Sequence, residues 1–132
     1  MYAADEASRR LGIKIVDVTP GRATARMRVT AEMVNGHGIA HGGYVFLLAD
    51  TAFAFACNTY GQVTVARSAE IVFVEPVHEG DVLIAVAAER LRFGANGVYD
   101  VTVRGREGLV VAEFRGQSRA LAARLVPDDS GP

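Results

Sequence analysis

The chain has 132 residues, half of them hydrophobic, which suffices for one domain with a real core and gives no reason to expect disorder. Its 14 Lys and Arg stand against 15 Asp and Glu, so there is no basic excess to hold nucleic acid by electrostatics. Cys57 is the single cysteine, which excludes an intrachain disulfide and fits a reducing, cytoplasmic setting.

The opening residues Tyr2, Ala3, Ala4, Asp5 and Glu6 lack the basic start and apolar core of a signal peptide. Ala4 to Leu11 suits a short helix, with Asp5 and Glu6 at its positive end, Arg9 and Arg10 at its negative end and Gly12 as the stop, serving as a lid or packing element. Ile13 to Val18 reads as a strand and Pro20-Gly21 as a turn. Beyond it Arg22, Thr24, Arg26 and Arg28 alternate with Ala23, Ala25, Met27 and Val29, the mark of a strand with one wet face, so these two strands form a hairpin. Thr30 is placed to cap a single turn through Ala31, Glu32 and Met33.

The stretch from Asn35 to Gly61, NGHGIAHGGYVFLLADTAFAFACNTYG, reads as a glycine-rich loop feeding a long helix. From Tyr44 to Cys57 that helix is apolar nearly all round, so it is buried on most of its circumference, and Asn58, Thr59, Tyr60 and Gly61 mark its stop. It is not a membrane span, because Asp50 and Asn58 interrupt it well short of the ~20 apolar residues a bilayer requires. Its neighbours make Cys57 a buried, inert thiol.

The rest is strand-like. Val63 to Val74 places Val63, Val65, Ala69, Ile71 and Phe73 on one face and Thr64, Ser68 and Glu70 on the other. Val82 to Phe93 follows Gly80-Asp81, and Val98 to Arg106 follows the hairpin signal Asn96-Gly97. The last strand runs from about Leu109 to Leu125, with Val110, Ala112, Phe114, Ser118 and Ala120 opposing Glu113, Arg115, Gln117 and Arg119, and Pro127 to Pro132 form a polar, frayed tail. Two strands, one helix and four strands predict a single α+β domain over residues 1–132, an antiparallel sheet wrapped around the helix. A sheet covers only one side of an all-apolar helix, so a second subunit is expected on the other, giving at least a homodimer.

Chemistry concentrates at the start of the helix. Between Gly42 and Ala66 the only residue charged at neutral pH is Asp50, set among Phe46, Leu47, Phe53 and Ala54 on its helix face. The first-turn amides of Gly42 and Gly43 lack intrahelical partners and point along the positive end of the dipole, ready to stabilise a carbonyl oxygen as it becomes negative. One such donor typically contributes ~3 to 4 kcal/mol to an acyl-transfer transition state. Asp50 follows Gly42 by eight residues, about 12 Å along a straight helix, so one subunit cannot bring both to one carbonyl. Two copies of the helix packed antiparallel about a two-fold axis would.

Taken singly these residues have plainer readings. An acid on an apolar helix commonly pairs with an arginine, a histidine such as His41 commonly caps or packs, and Asn35-Gly36 is an ordinary turn pair. His37, His41 and His78 offer no helical zinc spacing, and there is neither a GxSxG elbow nor a GxxxxGK[ST] phosphate loop.

Asn35, Gly38 and His41-Gly42-Gly43, followed by Asp50 on an apolar helix, resemble the hotdog-fold thioesterases, in particular the phenylacetic-acid-pathway branch called PaaI. The strand VAEFRGQSRAL, Val111 to Leu121, is similar to the closing strand of that branch. The resemblance implies a hotdog fold and cytoplasmic hydrolysis of acyl-CoA thioesters, with active sites shared across a dimer, commonly in a homotetramer, and no cofactor, since coenzyme A is part of the substrate. By position it makes Asp50 the nucleophile or the general base for water and Gly42 the oxyanion donor. Asn35 and His41 become polar residues holding the thioester or the water. Gly43 at the helix start, and Arg67 and Ser68 on the strand after it, are candidate substrate contacts by their place in the chain. Arg90, Arg104 and Arg106 are further candidates for the coenzyme A tail. Ala54 stands where a related branch carries a hydroxyl, which argues against a benzoyl-type substrate, and the resemblance itself implies aryl-acetyl groups. The other readings on the same fold are a non-hydrolytic acyl-CoA binder or sensor and a hydratase.

Overall fold

A computed structural model describes residues 2–124. Along the chain lie helix α1 (Glu6–Arg10), strands β1 (Lys14–Thr19) and β2 (Arg22–Arg28), and helix α2 (Gly42–Cys57). Strands β3 (Gln62–Phe73), β4 (Val82–Phe93), β5 (Asn96–Arg104) and β6 (Val110–Arg124) follow. The strands form one antiparallel sheet in the order β1-β2-β4-β5-β6-β3, wrapped around α2, the α+β arrangement expected of the hotdog fold. Leu125 and the tail from Pro127 to Pro132 lie outside the described residues.

Alternation decides the dry face of each strand. Ala23, Ala25, Met27 and Val29 of the second strand and its exit, and Ala112, Phe114 and Ser118 of β6, are all buried, while the arginines and glutamate between them are exposed. With Leu83, Ala85 and Ala87 from β4 and Tyr99, Val101 and Val103 from β5 they form a floor of mostly small and branched residues. Onto it α2 sets Val45, Leu48, Ala49, Ala52, Phe53 and Ala56. Phe53 anchors the packing, its ring 5.6 Å from Tyr99 and 5.7 Å from Phe114 between centroids.

Three local expectations are corrected. In β3 the pairing register slips between Ala66 and Ser68. A bulge reverses which side chains face the core. Ala69, Ile71 and Phe73 stay on the inner face, opposite Gly116, Phe114 and Ala112, but Val65 pairs with Arg119 on the outer face while Thr64 faces inward with Ala120. The β4–β5 turn is not Asn96-Gly97: Phe93 pairs directly with Asn96, leaving Gly94 and Ala95 as the two-residue loop. Gly94 takes φ 59°, the conformation a tight hairpin requires of its first loop residue. Thr30 precedes the turn Ala31–Met33 as expected, yet its hydroxyl makes no cap; its carbonyl closes the turn by accepting from the Met33 amide at 3.0 Å.

The end of α2 is fixed by Asn58, which is 8% exposed. Its Nδ2 donates to the Ala54 carbonyl at 2.7 Å and the Thr64 carbonyl at 3.0 Å, and its Oδ1 accepts from the Thr64 amide at 2.8 Å. One side chain thereby joins the last helical turn to the start of β3. Asn58→Ala should lower the unfolding free energy by about 1–3 kcal/mol, read from the denaturant midpoint, because it strands the Thr64 amide and carbonyl, while the Ala54 carbonyl keeps only the backbone amide of residue 58 at 3.2 Å. An unchanged midpoint would show that water replaces all three bonds.

Candidate active site

The loop entering α2 is held by hydrogen bonds at both ends. The Asn35 side-chain oxygen accepts from the amides of His37 at 2.8 Å and Ile39 at 3.1 Å, a local turn bond, and the Asn35 amide donates to the Ile39 carbonyl at 2.9 Å. Ala40 donates to Val77 at 2.7 Å and His41 to Met33 at 2.9 Å, which ties the loop to the chain after β3 and to the turn before it. The Asn35 oxygen is thus engaged in shaping the loop, leaving its Nδ2 as the group able to meet a ligand. His41 occupies the residue before α2 with an exposed side chain that makes no capping bond.

Because His41 leaves the cap unfilled, the Gly42 and Gly43 amides find no acceptor among the described residues, while the Tyr44 amide already turns back to the His41 carbonyl at 3.1 Å. Gly42 is half-buried for a reason that local sequence does not disclose: the Phe73 ring, at the end of β3, lies against it. A Cβ at Gly42 would come within 2.6 Å of Phe73 Cζ, so any other residue there would displace the ring from this contact. Beside Gly42 opens a cavity of about 370 Å³, walled by Ile39, Ala40, Val45, Phe73, Val74 and Val77, with the Glu75 carboxylate the one charged neighbour. The signal available in the sequence was the pairing of a glycine with an aromatic at a strand end. No spacing rule links residues so far apart.

Asp50 lies two turns further along α2, on the stripe with Gly43, Leu47 and Ala54 that the sheet does not cover. It is half-buried and has neither a hydrogen-bond donor nor a cation among the described residues. Burial, and then the negative charge of Asp5 on the neighbouring segment, hold its carboxyl above the usual carboxylate range. The ion-pair reading of this acid is therefore not what one chain forms. Cys57 is buried and its thiol is pushed up to about 12, chiefly by burial, so it stays protonated at neutral pH.

One chain brings Asn35, His41, Gly42 and Gly43 together but not the rest. Asp50 is ~12 Å from Gly42 along the helix axis. Arg67 and Ser68 lie six and five residues up β3 from Phe73, roughly 16–20 Å away. Arg67 donates to the Asn96 side chain at 3.0 Å, and Ser68 pairs with Gln117 on the outer face. Among the other arginines considered, Arg106 is paired with Asp81 at 3.0 Å and Arg104 with the Gly108 carbonyl at 2.9 Å.

The unpaired carboxylate has a stability signature. Its native form keeps the proton to higher pH than the unfolded chain, so stability is lost as pH rises from the ordinary value of about 3.9 through the higher native one. Asp50→Asn cannot ionise, so its Tm should exceed that of the wild type at pH 7, and the gain should vanish below about pH 4. The same Tm difference at both pH values would contradict a burial cost at Asp50.

Residues 37–112 match the thioesterase superfamily profile. The acyl-coenzyme A thioesterase PaaI of Escherichia coli strain K12 is 42% identical over 125 residues, covering 95% of this chain and 89% of its own. The structure of the E. coli PaaI protein, from the phenylacetic acid degradation operon, superposes with a TM-score of 0.92 at 43% identity, over 94% of this chain and 90% of that one. The TT0310 protein of Thermus thermophilus follows with a TM-score of 0.84 at 38% identity, over 89% of this chain and 98% of that one. The chain belongs to the thioesterase superfamily and is a thioester hydrolase of the hotdog fold.

Proposed function

We propose that the protein is an acyl-CoA thioesterase acting on aryl-acetyl thioesters, working as a homodimer whose active sites each combine two chains. Asp50 carries the reading: a desolvated carboxylate without a partner, on the open stripe of the helix whose first amides are free. In the proposed site the thioester carbonyl oxygen accepts from the Gly42 amide, with Gly43 as a neighbouring donor. Asp50 of the second copy attacks the carbonyl carbon or takes a proton from the attacking water. Collapse of the tetrahedral species expels the coenzyme A thiolate, which takes up a proton; where Asp50 itself has attacked, water then cleaves the acyl–Asp50 anhydride, releasing the acid and restoring the carboxylate. His41 and the Asn35 amide border the carbonyl and hold the substrate or the water.

The second copy is supported by what one chain leaves open. β3 is an edge strand of twelve residues with Val65, Val72 and Phe73 exposed, so its backbone edge and apolar side chains both call for a cover. A two-fold partner joined along this edge would extend the sheet and set the two α2 helices antiparallel. That arrangement moves Asp50 of one chain toward Gly42 of the other. Arg67 and Ser68 enter the proposal as coenzyme A contacts from the second copy. We further assign the dimer to a homotetramer and the protein to the cytoplasm. Among the described residues no helix is long and apolar enough to cross a membrane. The aryl-acetyl class is supported by the apolar cavity beside Gly42, whose roughly 370 Å³ exceeds what a phenyl ring needs.

Free thiol released from a panel of acyl-CoA esters should be greatest for aryl-acetyl groups. Asp50→Ala and Asp50→Asn should each cut kcat/KM by about a thousandfold or more while the protein still elutes with at least the mass of a dimer. Undiminished hydrolysis in both variants would remove Asp50 from the chemistry, and a monomer at micromolar concentration would remove the shared site.

A further inference from the structure

The segment before β1 packs against α2 beside Asp50 rather than serving as a loose end. Tyr2 reaches the Ile13 carbonyl with its hydroxyl and sets its ring 6.3 Å from that of Phe55. Asp5 caps α1, its Oδ1 accepting from the Ser8 amide at 3.1 Å and its Oδ2 from the Ser8 hydroxyl at 2.7 Å. Ser8 is fully buried, and its Oγ also lies 2.8 Å from Thr51 Oγ1, itself only 3% exposed. Since the Asp5 carboxylate takes the Ser8 proton, the Thr51 hydroxyl must be the donor in that second bond. A chain of three side chains therefore runs from α1 to the residue next to Asp50.

We propose that Asp5 and Ser8 are positioning residues of the active site: the Asp5–Ser8–Thr51 hydrogen-bond chain anchors α1 on α2 and fixes a negative charge beside Asp50. The inference rests on the reading of Asp50 as the working carboxylate, and it adds what sets that group's basicity. A carboxylate with nothing positive near it and a second negative charge held close is a stronger base than a free aspartate. Of the other groups around Asp50, Cys57 lies two turns along the same helix and stays neutral. Among the described residues the inner strand faces packed under α2 offer Tyr99, whose hydroxyl is held well above its usual range by burial, and its cross-strand neighbour Glu89, which accepts from the Tyr60 hydroxyl at 2.7 Å and the Tyr99 hydroxyl at 3.5 Å. A second copy would add its His41. Asp5 is the anion on the α1 side, and Ser8 ties it to the helix that carries Asp50.

The test compares Asp5→Asn, which keeps the helix cap without the charge, with Ser8→Ala, which breaks the chain, in the full-length protein. Glu6→Gln is the control: it removes an equal charge from the same helix, where Glu6 is exposed and paired with Arg10 at 2.9 Å. Two readouts are taken: the acid limb of the kcat/KM profile on an aryl-acetyl-CoA ester, and the Asp50 side-chain carbon shift in ¹³C-aspartate-labelled protein, assigned with Asp50→Asn. Asp5→Asn should move the Asp50 midpoint and the acid limb down by about half a pH unit or more, Ser8→Ala should move them the same way by less, since the Asp5 charge stays and keeps its bond to the backbone amide of that position, and Glu6→Gln should leave them unmoved. A midpoint unchanged in Asp5→Asn, or moved as far in Glu6→Gln, overturns the proposal. A midpoint that moves while the acid limb stays, or a wild type that releases no thiol, leaves Asp5 coupled to Asp50 and removes instead the catalytic reading of Asp50.

Discussion

The structure depends on the cost of keeping an ionisable carboxylate on a helix built to be dry. Asp50 meets neither cation nor donor within the described chain, and burial with a nearby anion raises its affinity for a proton. A group so placed weakens the fold at neutral pH. The surrounding design tolerates it because α2 contributes its other faces to a tightly filled core: Leu48, Ala49, Ala52 and Ala56 are wholly buried, and Phe53 locks among Tyr99 and Phe114. Small residues on the sheet side let the helix sit close to the strands, so the apolar area gained there offsets a carboxylate that is not stabilised by its own chain.

The same helix keeps its two unusual features apart. Its free amides stand at the N-terminus because His41 does not cap it, and its carboxylate stands two turns away, a separation set by helical rise. No rotamer closes a gap of that size. Either the two features serve different purposes or two helices share them, and an apolar edge strand ending in Phe73 against Gly42 favours sharing. The loop before Gly42 is held by backbone bonds from Asn35, Ala40 and His41, so the free amides at the start of α2 are held in place by the chain itself. Phe73, half-exposed, is one wall of the neighbouring cavity.

What could be read from the residues follows the range of the interactions. Periodicity is local, so Ala23 to Val29 and Val110 to Ala120 disclose their dry faces, and breakers such as Pro20-Gly21 and Gly80-Asp81 place the turns. The bulge near Arg67 was hidden because it depends on how β6 pairs with β3, and a slip of one residue turned Val65 outward and Thr64 inward. Gly94-Ala95 lost to Asn96-Gly97 because both are tight-turn sequences and only the strand register chooses between them. Asn35, His41, Gly42 and Asp50 were legible as a motif; Phe73 was not, since its contact with Gly42 spans thirty-one residues of chain and has no periodic signature.

The segment before β1 shows how a local signal can have a distant consequence. Asp5 reads in the sequence as a charge suited to the positive end of an Arg-ended helix, and in the structure it is the cap of that helix, bonding the Ser8 amide. A cap needs only one carboxylate oxygen, however, and the other here holds the Ser8 hydroxyl in the buried bond to Thr51. An asparagine would cap nearly as well, so the cap alone does not call for the charge. An anion close to Asp50 raises the cost of ionising it and at the same time makes the ionised form more basic. The protein therefore keeps, at a position where helix stability would accept a neutral side chain, a charge whose effect falls on the neighbouring carboxylate.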